Sequence, residues 1–317
     1  MEVFRSLDDV PPHFGPSAVT VGKFDGVHIG HRAVIARLKT TAAARGLVSA
    51  IVTFDRNPLA VLRPEMCPAS LISVDQKLEL LAATDPDATL VVEFDPPFSK
   101  LSPDEFVTRV LVDALHAEVV LVGKDFRFGA GGAGTVDVLR ELGSEHGFEV
   151  ILIDDVTVPG EGRRTSSTWI RELLDEGRVR EAAELLGALP TIRGVVVHGH
   201  ARGRVLGYPT ANMSPDVEGF VPADGVYAAW LTARGVRYPA AVSVGNNPTF
   251  GGVPEKQVEA HAIDANFDIY DDTVEISFVE YVRAMQKFPG ADELAEQMGR
   301  DEDRIRVILG VAPKSEP

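Results

Sequence analysis

The chain has one cysteine, Cys67, among its 317 residues. No disulfide can form within it and no multi-cysteine zinc site can be built, which agrees with a reducing compartment. Long apolar runs are missing too: none approaches the roughly 18 residues a membrane span needs. The first residues, "MEVFRSLDDVPPHF", are acidic and broken by prolines, without the basic-then-apolar layout of a secretory signal. A cytoplasmic location with no membrane attachment is therefore expected. Positive charge is scarce, with 31 Lys and Arg against 47 Asp and Glu and a net charge of −16. That argues against a nucleic-acid or anionic-membrane surface, which needs clustered cations. It leaves room for a small phosphorylated ligand held by a few local donors. What is present is ordinary for a globular protein: 45% hydrophobic and 25% charged residues, in a length that favours two domains.

The first half alternates short β-rich runs with helical patterns. "AVTVG", "SAIVTF", "TLVVEF" and "AEVVLVG" read as strands, with helices over the segment after Gly30, "DQKLELLAAT" and "PDEFVTRVLVDAL". Near-continuous apolar strands separated by helices predict a parallel sheet covered on both faces, with ligands beyond its C-terminal strand ends. The pattern changes near Leu186–Pro190. Short β-rich runs such as "GVYAAWLTA", "RYPAAVSVG", "QVEAHAI" and "DTVEISFVEYV" follow, divided by turn-rich segments, and predict an antiparallel barrel or sandwich. A helix is expected over residues 291–309.

Three segments of the first half carry candidate chemistry. "VGKFDGVHIGH" puts Gly22, Phe24, Asp25, Gly26 and Gly30 around His28 and His31, between a strand and a helix. Glycines there admit a ligand to the backbone, and a helix N-terminus offers free N–H groups and a positive dipole end for an anion. Two imidazoles could stabilise a phosphoryl transition state beside them. Two alternatives stand beside this one. Zinc needs a third and usually a fourth ligand, and there is no H-E-x-x-H pattern. The pair could also simply cap and pack the helix. "GKDFRFG" (123–129) is a glycine-rich loop with Phe126 and Phe128 around Arg127, and could be only a flexible surface loop. "RRTSSTWIREL" sets Ser167 and Thr168 before an apolar helical run, as N-caps or as phosphate donors.

In the second half, "GHARGRVLGYPTANM" carries Gly199, Gly203 and Gly207 with Arg204, a pattern suited to a phosphate cradle. Thr210 and Asn212 follow at i and i+2, so in an extended chain they point the same way. Both are neutral oxygen ligands suited to Mg²⁺. A turn with local side-chain hydrogen bonds is the alternative.

"VGKFDGVHIGH", "GKDFRFG" and "SSTWIR", in this order, resemble the nucleotidyltransferase module of bacterial bifunctional riboflavin kinase/FAD synthetases. "GYPTANM" and the segments after it resemble the riboflavin kinase module of the same family, so the resemblance covers nearly the whole chain. It implies a Rossmann-like α/β nucleotidyltransferase domain over residues 1–186. A six-stranded antiparallel riboflavin kinase-like β-barrel with a terminal helix is implied over 187–317. The implied activities are ATP-dependent phosphorylation of riboflavin to FMN and adenylation of FMN to FAD. The implied catalytic residues are His28, His31 and Glu259, the last as base for the ribityl hydroxyl. Since carboxylates are weak bases, positioning must supply much of that rate. ATP contacts fall to Gly22, Phe24, Asp25, Gly30, Asp125, Arg164, Ser167 and Thr168 in one module. In the other they fall to Gly199, Gly203, Arg204, Gly207, Thr210 and Asn212, the last two also holding Mg²⁺. Phe54, Pro58, Phe128 and Arg283 fall on the flavin side. Lys23, Arg56, Asn57, Ala265 and Asp271 depart from the family pattern. The implied partners are riboflavin, FMN and ATP, with a monomer or weak homo-oligomer and neither nucleic acid nor membrane. Another HxGH nucleotidyltransferase, or a flavin-binding regulatory protein without catalysis, are the competing readings.

Overall fold

The computed structural model describes residues 1–154, 157, 163–198, 208–245, 256–265 and 268–313. The chain divides into two compact units, Met1–Ser166 and Ser167–Pro317.

The first unit is built on six strands, β1 (Glu2–Phe4), β2 (Ser17–Val21), β3 (Val48–Phe54), β4 (Ala88–Val92), β5 (Ala117–Gly123) and β6 (Glu149–Ile153). They form one sheet in the order β1-β4-β3-β2-β5-β6, with every neighbouring pair parallel. β2 and β4 are buried at every position, which is why they read as unbroken apolar runs rather than alternating ones. Alternate residues serve opposite faces. Val19, Val52 and Leu90 pack with Phe106, Leu111 and Leu139, whereas Ala18, Ile51 and Leu121 pack with Ile35, Leu38 and Leu81.

The second of these faces carries α1 (Ile29–Arg45) and α3 (Val74–Ala82), which follow β2 and the short α2 (Leu59–Leu62). The first carries α4 (Pro103–Phe106), which continues with π-helical pitch through Val107–Ala114, and α5 (Val136–His146). Capping boxes at Ser73 with Gln76 and at Ser102 with Glu105 start α3 and α4, and Pro103 sits in the first turn of α4. Going from β2 the chain adds β3 and β4 on one side, then returns to place β5 on the other. This reversal puts a topological switch point between β2 and β5. The predicted strands and helices of this half are present. β1, β6 and α5 were not read from the sequence: β1 is only three residues long and β6 is a partly exposed edge strand.

The second unit opens with α6 (Ser167–Asp175) and α7 (Val179–Leu186), which pack on each other, with α7 also on the barrel. Strands β7 (Thr191–Val197), β8 (Ala211–Met213), β9 (Gly225–Ala233), β10 (Val236–Gly245), β11 (Gln257–Ala262) and β12 (Thr273–Arg283) close into a barrel in the order β10-β11-β8-β7-β12-β9. The barrel or sandwich expected from the strand spacing is thus a closed antiparallel barrel. Its buried inner row includes Tyr227, Val242 and Ala260, in register across three strands. On the other face Val226, Ala228 and Val282 pack against Ile305 of α8 (Ala291–Leu309), the predicted terminal helix. Arg306 of α8 is 3% exposed and bonded to both Asp264 and Glu302, which ties the helix to the turn after β11.

Candidate active sites

The turn between β2 and α1 is held under strain. Phe24 and Val27 both take left-handed backbone conformations, φ 49° and 39°, which side chains other than glycine rarely adopt. The strain sits where the chain must swing from a buried strand to a helix in a few residues. It brings Phe24 inward to 2% exposure, with its ring 5.1 Å from that of His31. His28 is the N-cap of α1, and its Nδ1 accepts the His31 backbone N–H at 3.3 Å. The two imidazoles stack, centroids 3.6 Å apart and planes 16° from parallel. Gly30 makes the stack possible, since a Cβ there would lie 3.1 Å from His28 Nδ1.

Capping and function therefore use the same atoms. With Nδ1 accepting from the helix, neutral His28 carries its proton on Nε2, as a donor. The ring stays neutral: burial first, and Arg164 second, lower its pKa from 6.5 to about 4. His31 is lowered well below 6.5 by burial, then by His28 and Lys77, and its Nδ1 is buried without a hydrogen-bond partner. A pair of neutral N–H donors at a helix N-terminus suits an anion, not a proton relay at neutral pH. A zinc site would need further ligands, and no cluster of three metal-ligating residues exists among the described residues.

Parallel pairing of β2 with β5 sets the "GKDFRFG" loop beside this turn at the switch point. The loop is packed, not merely a flexible surface connection. Phe128 is 6% exposed and stacks on Phe126 at 5.4 Å, while Phe128 and Gly134 bridge back to each other. Its ring is thus part of the core. It tilts against Phe106, which begins a ladder of edge-to-face contacts running through Phe98, Phe94 and Phe54. Asp125 and Arg164, predicted separately on the nucleotide side, are joined by a 3.0 Å ion pair. Asp25 accepts the backbone N–H of Leu71 at 2.9 Å, fixing the approach to α3. Gly22 is half-buried beside the Phe24 ring, and Pro58 precedes α2. Ser167 and Thr168 start α6 in the second unit.

In the barrel, register does the assembling. Val226 stands opposite Ser243, Ser243 opposite Glu259, and Glu259 opposite Asn212. Directly opposed residues share a face, so Glu259 and Asn212 lie side by side although 47 positions apart in sequence. Both are half-buried, on the face that carries α8. Asn212 donates from Nδ2 to Thr210 O at 3.5 Å, leaving Oδ1 as its acceptor end. The next residue on that face of β11, His261, contacts Pro209 O at 2.8 Å and the Tyr208 ring, pinning the chain that leads to Thr210. Arg283, expected on the flavin side, makes a bidentate pair with buried Asp301 of α8, and its guanidinium lies 5.8 Å from the Phe288 ring. Gly199, Gly203, Arg204 and Gly207 lie outside the described residues.

Sequence reasoning missed Lys77, Thr53 and Thr165. Lys77 is 7% exposed and donates to Phe54 O at 2.8 Å. Its signal was available: it stands one turn before Leu81 on the apolar face of α3, where lysine is rare. Thr165, 4% exposed, has a buried hydroxyl without a hydrogen-bond partner. Nothing in the sequence marks it.

Fold and sites together define a nucleotidyltransferase-like α/β unit on one chain with a flavokinase-like barrel. The FAD synthetase family matches residues 11–169 and the riboflavin kinase family residues 186–309. Curated bifunctional riboflavin kinase/FMN adenylyltransferases from Listeria monocytogenes and Escherichia coli K12 are each 36% identical, over 292 and 294 residues. Each alignment covers 92% of this chain, and 92% and 93% of the respective relative. The chain belongs to the bifunctional riboflavin kinase/FMN adenylyltransferase family. A solved structure from Streptococcus pneumoniae, described as a macrolide-efflux protein, superposes with a TM-score of 0.83 at 31% identity, covering 96% of this chain and 98% of its own. Among the described residues of the present chain no helix is long and apolar enough to cross a membrane.

Proposed function

We propose that the chain makes FAD in two steps, each at its own site. The observation that carries this reading is the stacked, neutral His28–His31 pair at the N-terminus of α1, on a chain that also sets Glu259 beside Asn212. In the first step the ribityl hydroxyl of riboflavin loses its proton to the Glu259 carboxylate as its oxygen attacks the γ-phosphorus of ATP. The bond to the β-phosphate oxygen breaks and ADP leaves. Thr210 and Asn212 offer neutral oxygens that would suit Mg²⁺ beside substrate phosphates, with Glu259 next to them as the base. Bound with the nucleotide there, the ion supplies charge neutralisation on the phosphate oxygens. Arg283 and Phe288 border the flavin.

In the second step a phosphate oxygen of FMN attacks the α-phosphorus of a second ATP, and pyrophosphate leaves. The N–H donors of His28 and His31 hold the charge that develops on the phosphate oxygens, as does the positive end of α1. Gly22, Phe24, Asp25 and Gly30 shape the nucleotide side of the turn, and Asp125 borders it. Arg164, Ser167 and Thr168 hold the leaving phosphates. The FMN ring lies on the side of Phe54 and Pro58, with Phe128 supporting from the core. We assign this module to residues 1–186 and the kinase to 187–317, in a cytoplasmic monomer or weak homo-oligomer.

The test is purified protein with riboflavin, ATP and Mg²⁺, products resolved by chromatography. FMN appears first and FAD after it. Flavin bound without turnover would support a regulatory protein instead, and adenylation of some other phosphate ester would support a different HxGH enzyme.

A further inference from the structure

Lys77 is a buried ammonium in a unit whose other lysines lie at or near the surface, apart from its contacts at the end of β3. Its Nζ donates to Phe54 O at 2.8 Å and to Thr53 Oγ1 at 3.4 Å. The Thr53 hydroxyl in turn donates to Lys23 O at 3.2 Å, in the strained turn before His28. One cation thus ties together the last residues of β3, on the flavin side, and the turn that presents the histidines, on the nucleotide side. Burying an ammonium costs several kcal/mol unless hydrogen bonds and charges offset it. A methionine or leucine would fill the same space on α3 without that cost, so packing alone does not explain a lysine here.

We propose that Lys77 is a positioning residue for adenylyl transfer: it holds the Thr53–Phe54 strand end and the Lys23–His28 turn in one fixed relation, so that FMN and ATP meet in line. This rests on assigning adenylyl transfer to the His28–His31 site. The charged groups around this corner are few. Arg164 acts on His28, and Lys77 acts on His31 across the turn. Asp25 and Asp55 favour the charged form of Lys77 against its burial. Asp55 accepts the Phe94 backbone N–H at 2.8 Å and also pairs with Arg56 at 2.6 Å. Small misplacement of two reacting groups is enough to cost one to two orders of magnitude in rate.

The test compares Lys77→Met and Thr53→Val with the full-length enzyme. Lys77→Met removes the charge and keeps the length. It lowers kcat for FAD formation from FMN about tenfold or more, with KM for ATP changed much less, a parental circular-dichroism spectrum and thermal unfolding profile as the control of folding, and riboflavin phosphorylation intact as the control of enzyme concentration. The readout that separates positioning from simple packing is the split itself: kcat falls while KM for ATP holds, and Lys77→Arg, which keeps a donor cation, recovers part of kcat. Thr53→Val cuts the link to the turn and leaves the ammonium, so kcat falls here too. If Lys77→Met fails to fold, Thr53→Val decides: an unchanged kcat there overturns the proposal. A folded Lys77→Met with parental kcat overturns it as well. If the parent itself forms no FAD, the functional assignment fails; if the parent forms FAD and both variants match it, only the Lys77 proposal fails.

Discussion

The two sites reach their geometry by opposite routes. In the first unit the chemistry is local: His28 and His31 are one helical turn apart, and the helix that starts there supplies both the cap and the dipole. In the barrel it is non-local: Glu259 and Asn212 meet only because β11 pairs with β8 in one register. The local site is almost buried and sets its proton states by desolvation. The barrel site is half-exposed and depends on strand order. A one-residue slip between β11 and β8 would turn Glu259 into the barrel and destroy the pair, whereas no slip of the sheet can separate the two histidines.

The largest expected effect breaks the first site alone. His28→Ala removes a donor, the cap and the stack together. FAD formation from FMN falls about 10³-fold, while riboflavin phosphorylation, measured on the same preparation, is unchanged. Loss of both activities would mean that the sites are not separate. The converse is Glu259→Gln, which keeps the size of the side chain and one acceptor oxygen but cannot accept the proton. Riboflavin phosphorylation falls about 10²-fold, and FAD still forms when FMN is supplied.

The same contrast explains what the sequence made legible. Near-continuous apolar runs placed β2, β3, β4 and β5, and helical periodicity placed α8. The histidine pair was visible because its spacing is its geometry. β8 was not, being three residues long within a turn-rich stretch, and so the neighbour relation of Asn212 and Glu259 had no local signal. Glu259 was found through family resemblance alone, since strand alternation marks its side but not its partner. Lys77 was hidden for a different reason. Its helical position announced burial, but what it bonds to is the end of a strand 23 residues earlier.

Acid acts mainly on the local site. The folded His28 titrates at about 4 against an ordinary 6.5. The folded state therefore binds fewer protons than the unfolded chain across that interval. Its stabilising contribution is full above pH 6.5 and is lost as pH falls towards 4, a change of roughly 3 kcal/mol. His31 is depressed in the same direction and deepens the loss. Urea unfolding followed at pH 7.5 and at pH 4.5 reads this as a drop in midpoint, and in His28→Gln the drop is smaller. An equal drop in parent and variant would show that the buried imidazole is not the group responsible.

The smallest change asks whether the stack itself matters. Gly30 lies in the first turn of α1, where an alanine would ordinarily favour the helix by up to about 1 kcal/mol. Here the added Cβ would stand 3.1 Å from His28 Nδ1 and Cε1, and 3.9 Å from the Thr165 carbonyl. The first contact is tighter than most real ones, so the imidazole must give by a few tenths of an ångström, which disturbs its stack on His31 and the N–H it caps. Gly30→Ala is then expected to lower kcat for FAD formation about tenfold with little loss of thermal stability, because the helix gains what the cap loses. Riboflavin phosphorylation again serves as the control. An alanine variant with full adenylyl transfer would show that the ring can move without consequence, and that the dipole of α1 and a single N–H donor suffice at this site.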